Sequence, residues 1–150
     1  MKTKKILFVL LALFFTYPVM HAQKSVDQLF SQFSKEKGVE RVNVGNIALK
    51  FAGLFHDTMG VTGVEVLSFD GCDKSVKDML TKEIAALKDE NYETLVSVNE
   101  NNQRARILLK LKDDLIKEVI ILSSGESLAL IRIKGNIKPS DIDKVIKDKK

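Results

Sequence analysis

The chain has 150 residues, 45% of them hydrophobic and 29% charged, with a formal charge of +4 and a single cysteine. That length suits one domain with its own core, able to remove roughly two-thirds of its unfolded surface from water, and one cysteine excludes an internal disulfide. The positive balance is local: residues 1–22 hold Lys2, Lys4 and Lys5 and no acid, so the remainder carries +1 and shows no electrostatic footprint for nucleic acid.

Met1-Lys2-Thr3-Lys4-Lys5 leads into an apolar run over 6–19 that ends near the small residue Ala22. This pattern predicts a secretory signal peptide over 1–22 and a single exported domain over 23–150, periplasmic or secreted. The run is shorter than the roughly 20 residues that span a bilayer, and it contains Pro18. No integral membrane segment is therefore expected after cleavage. No cysteine follows the run, which argues against a lipid anchor.

A first helix is predicted over 26–37, where Val26, Leu29, Phe30 and Phe33 recur at helical spacing. Ser25 and Gln28 suit a capping box at its start, and Gly38 suits its C-terminal cap. A short strand over 39–44 and a second helix over 46–57 follow, the latter with Ile47, Phe51, Leu54 and Phe55 on one face. A strand over 64–69 leads through Asp70-Gly71-Cys72 into a helix over 73–89, capped by Asp73 and striped by Val76, Met79, Leu80, Ile84 and Leu87. The apolar period then changes from helical to alternating. Segments 92–98, 104–112, 115–123 and 128–134 read as four consecutive strands joined by short, turn-rich links, which favours antiparallel neighbours. A last helix over 140–148 buries Ile142, Val145 and Ile146, with Ser140 and Asp143 placed as a capping box. The expected architecture is α+β, a mainly antiparallel sheet with helices packed on one face.

Three stretches, "VDQLFSQFSKEKGVERVNV", "FDGCDKSVKDML" and "ESLALIRIKGNIKPSDIDKVIK", resemble a bacterial domain-of-unknown-function family, numbered 4252, of small exported proteins. The resemblance spans nearly all of the chain after residue 22. It implies a Gram-negative envelope or secreted location and, through gene neighbourhoods of extracytoplasmic sigma factors, a link to envelope signalling. It supplies no catalytic residues.

Cys72 has two readings. A helix N-terminus lowers a thiol's pKa, but Asp70 and Asp73 place negative charge beside the sulfur, and no second cysteine offers dithiol chemistry. A turn at Gly71 with Cys72 as a small packed residue is favoured. His56, Asp57, Asp70, Cys72 and Asp73 lack the compact ligand pairs of a zinc site and the repeating oxygens of a calcium loop. Beyond residue 22, His56 is the only histidine, and no serine sits in a Gly-x-Ser-x-Gly elbow. Gly60-Val61-Thr62-Gly63 matches neither a P-loop nor a dinucleotide fingerprint, so no cofactor is expected.

The remaining candidate is a surface. If Ala105, Ile107, Leu109 and Leu111, with Ala129, Ile131 and Ile133, face the helices, the opposite sheet face carries Arg104, Arg106, Lys110, Lys112, Arg132 and Lys134. Leu108, Leu128 and Leu130 sit among them. Such a face suits a protein or an acidic envelope component as partner, against the simpler reading of a solvated sheet face. A connection longer than two residues at Asp113-Asp114 is expected, because it would bring Glu118 near Lys110. These features favour an exported binding domain, with a small hydrolase or thiol enzyme as the alternative.

Overall fold

A computed structural model of the chain describes residues 24–43, 60–100, 103–125 and 128–147, the side chains of 43 and 144–147 excepted. The expected signal peptide and the helix over 46–57, with His56 and Asp57, lie outside the described residues. In chain order the elements are α1 (Val26–Phe33), β1 (Glu40–Asn43), β2 (Val61–Ser68), α2 (Lys74–Ala86), β3 (Glu93–Glu100), β4 (Gln103–Lys112), β5 (Leu115–Ser124), β6 (Ala129–Ile137) and α3 (Pro139–Lys147). The strands form one six-stranded sheet of order β1-β2-β6-β5-β4-β3, with every pair antiparallel. The fold is α+β, as expected. Among the described residues, no helix is long and apolar enough to cross a membrane.

Strand register decides which side chains share a face. Leu67 on β2, Leu130 on β6, Leu122 on β5 and Arg106 on β4 are successive partners across the sheet. The next such row is Glu65, Arg132, Ile120 and Leu108. The leucines and Ile120 of these rows join Leu29, Phe30 and Phe33 of α1 and Leu80 and Ile84 of α2 in the main core. The alternate residues Leu109, Val119 and Ile133 form a second cluster on the other face, where Ile142 of α3 packs. The helices therefore lie on both faces rather than one, and the expected choice of face is reversed for α1 and α2. The side-chain set with Leu108, Leu128 and Leu130 lies under α1 and α2, and the basic residues between them point the same way. Both faces of β4 and β6 carry enough apolar residues for alternation to fit either assignment.

Asp113 and Asp114 both have positive φ, 54° and 60°, so the β4–β5 link is a two-residue turn of the I′ kind, shorter than expected. A bulge between Lys110 and Leu111 absorbs Lys117 and sets Glu118 opposite Lys110. In a regular register this short turn would oppose Lys110 to Lys117, and the bulge relieves that like-charge pair without a longer link.

The Ser25–Gln28 capping box is formed, with the Ser25 hydroxyl accepting from the Gln28 amide at 3.2 Å and the Gln28 side chain accepting from the Ser25 amide at 3.0 Å. Asp89 accepts from the Val26 amide at 2.9 Å, tying the start of α1 to the segment after α2. Asp73 starts α2 through its backbone carbonyl alone and makes no side-chain cap bond, contrary to expectation. Pro139 occupies the first position of α3, one residue ahead of the Ser140 expected to cap it. Gly38, at φ +88°, lies so close to Gly71 that a Cβ there would stand 2.6 Å from the Gly71 carbonyl oxygen. The turn before α2 is therefore clamped against the α1–β1 loop, and Cys72 is buried in the main core beside it.

Burial, opposed in part by Lys77, raises the Cys72 thiol pKa. Tyr92 packs against the same core and donates to the Glu118 carboxylate at 2.7 Å; burial first, then that hydrogen bond, raise its phenol pKa. Both groups ionise more readily unfolded than folded, so the stability they contribute is whole below their unfolded pKa values and is lost as pH rises beyond them. Equilibrium unfolding should show stability falling from about pH 9 upward, with a shallower fall in Tyr92→Phe. Identical pH profiles for the two proteins would contradict the buried, hydrogen-bonded phenol.

Candidate functional site

Along α2 and the residue pair that follows Ala86, Lys74, Lys77, Thr81 and Lys88 recur at multiples of three to four, beside the apolar stripe. That polar stripe overhangs the sheet corner where Asn99 on β3, Arg104 on β4 and Ser124 on β5 are successive cross-strand partners. Between them run two adjoining clefts of about 430 and 470 Å³, which share Thr81, Asn99, Arg104 and Ser124 as lining. Lys74, Lys77 and Asp78 border the first, and Lys88, Ser97 and Arg106 the second. The lining holds five cations, Lys74, Lys77, Lys88, Arg104 and Arg106, against one acid, Asp78. That acid is already paired, 2.9 Å from Lys74 Nζ one helical turn away. Thr81, Ser97, Asn99 and Ser124 add neutral polar groups, so the cleft is furnished to hold an anionic group by several weak, exposed contacts.

The six sequence-predicted residues do not form one open face. Arg104 is exposed at the cleft floor. Arg106 is half-buried beneath the end of α2, and its Nη1 donates to the Ile84 carbonyl at 2.9 Å and the Leu87 carbonyl at 3.2 Å. Lys110 lies 5.6 Å over the Tyr92 ring and opposite Glu118. Lys112 is exposed at the β4–β5 hairpin, and Lys134 is exposed on β6 opposite Glu118. Arg132 is only 7% exposed. Its Nη1 sits 2.8 Å from Asp27 of α1, and its guanidinium lies 4.3 Å over the Phe30 ring. Among the described residues its Nε and Nη2 are buried without a hydrogen-bond partner. Arg132 is thus an internal strut, and the structure joins Arg104 and Arg106 to lysines of α2 instead. Those lysines were readable as a stripe beside the apolar one, but only the fold places them over β4.

Among the described residues no group of three or more His, Cys, Asp or Glu could hold a metal ion. The Cys72 thiol is buried and its pKa raised, the reverse of what a nucleophile requires.

A family model described as Domain of unknown function (DUF4252) matches residues 33–145, from the last residue of α1 into α3. The chain belongs to this family. The matched span of the DUF4252 chain contains the whole sheet and every residue that lines the cationic cleft. No curated protein and no solved structure matches it.

The burial of Arg132 has a measurable consequence. The Arg132 guanidinium is buried with unmet donors while its partner Asp27 is 75% exposed, so the pair stabilises little compared with an apolar side chain of similar volume. Arg132→Met should keep stability within about 1 kcal/mol of the parent, or raise it, whereas Arg132→Ala should cost about 2–4 kcal/mol through the cavity over Phe30. Denaturant unfolding of the two variants checks this; equal and small effects would mean that the side chain is not packed under α1.

Proposed function

We propose that this DUF4252 protein is an exported domain of the bacterial envelope that works by binding, with the cationic cleft between α2 and the β3–β4–β5 corner as its contact site for an acidic protein partner. Export is supported by the basic, then apolar, start of the chain. The observation that carries the binding reading is the lining of the cleft, where five cations outnumber one acid, Lys74 pairing with that acid and Arg106 with the carbonyls of α2. The chain as a whole is close to balanced once residues 1–22 are set aside, so this concentration of charge is local rather than a reflection of composition.

Lys77 and Arg104 are the residues to reverse, because Arg106 is committed to the carbonyls of α2. The Lys77→Glu/Arg104→Glu protein should lose no more than about 0.5 kcal/mol at exposed Arg104 and up to about 1.5 kcal/mol at half-buried Lys77, whose Nζ donates to the Asp70 carbonyl at 3.2 Å. Its capture of envelope partners should fall, mainly through slower association, and should depend less on salt. Lys138→Glu, exposed at the start of α3, serves as the control and should capture normally. Equal capture by all three proteins would remove the cleft as the contact site.

A further inference from the structure

The cleft opens beside an edge of the sheet. Among the described residues β3 has β4 as its single neighbour, and every residue of it except Val96 is exposed, Leu95 to 42% and Val98 to 40%. Edge strands usually carry a lysine, a proline or an inward-pointing charge that discourages further pairing. β3 reads Glu-Thr-Leu-Val-Ser-Val-Asn-Glu and has no lysine or proline. After a bulge between Thr94 and Val96, it pairs regularly with β4 through Glu100.

The side chains of that regular stretch are sorted by face. Ser97 and Asn99 lie opposite Arg106 and Arg104, on the side of the cleft, and both line it. Val96 and Val98 lie opposite Ile107 and Ala105, on the other side, and Glu100 follows them there. A strand added along this edge would alternate in the same way. Its residues beside Ser97 and Asn99 would reach Arg104 and Lys88, where acids suit. Its residues beside Val96 and Val98 would continue an apolar face, and the one beside Glu100 would best be basic.

We propose that β3 accepts an extended acidic segment of the protein partner as a seventh strand of the sheet, with main-chain hydrogen bonds along the edge and acidic side chains in the cationic cleft. This rests on the cleft as the contact site and adds the form in which the partner is bound. The sequence that fits, running antiparallel to β3 from Glu100, is Lys-Glu-Val-Glu-Val.

The test is a titration of the isotope-labelled chain with that peptide, its ends blocked, followed by amide chemical shifts and hydrogen exchange. A control peptide carries Lys in place of each Glu. Strand addition predicts shifts in both the Val96–Glu100 amides and the cleft residues, with slowed exchange of β3 amides, lost in the control. Shifts confined to Lys77, Lys88 and Arg104, with β3 amides exchanging at their free rate, would overturn strand addition and leave the cleft standing. No response, or the same response to both peptides, would overturn the cleft reading together with it.

Discussion

The guanidinium of Arg106 reaches from β4 to the last carbonyls of α2, and that contact fixes where the helix lies on the sheet. The Ile84 and Leu87 carbonyls belong to the C-terminal end of the helix, where the dipole is negative and, among the described residues, the Ile84 carbonyl otherwise accepts only a long 3.4 Å bond from the Leu87 amide. Arg106 Nη1 serves two acceptors there, which is what permits an arginine beneath a packed helix. The row that carries Arg106 also carries Leu122, Leu130 and Leu67, all fully buried. Once Arg106 is seated, the leucines must face α1 and α2 as well.

The consequence for function is a division among the basic residues of the strands. Those near the middle of the helix-covered face, Arg106 and Arg132, are taken up by internal partners. Arg104, one row nearer the sheet's end, has Asn99 and Ser124 beside it rather than leucines, and remains exposed. The lysine stripe of α2 then hangs over that polar row instead of over solvent alone. A cationic cleft arises there because the apolar part of the face stops one row short of the strand ends.

Much of this architecture is legible in the chain. The Ser25–Gln28 box, the apolar stripes of α1 and α2, the four-strand meander and the turn before α2 follow from local spacing, and each stands within a few residues of its expected place. The face of the sheet was not legible. β4 reads Arg-Ala-Arg-Ile-Leu-Leu-Lys-Leu-Lys from Arg104, and period two sorts it into two sets without saying which one meets the helices. The set with Ala105, Ile107, Leu109 and Leu111 has no charges and was the natural choice for the core. It does become a core, but the second one, near α3. The bulge at Lys117 was equally hidden, because nothing local marks an extra residue in a strand of good β-formers. Arginines that serve as internal struts look, in sequence, the same as arginines on a binding surface.

The strand face that meets the helices decides the rest of the structure, and the equilibrium unfolding of Arg106→Ala tests it most directly. If Arg106 is seated under α2, the loss of two hydrogen bonds from a charged donor, with their carbonyls left beneath the helix, should cost about 1.5–3 kcal/mol. A loss within about 0.5 kcal/mol, the range of a solvated surface residue, would mean that the basic face is open and that the arrangement of helices and sheet described above is wrong.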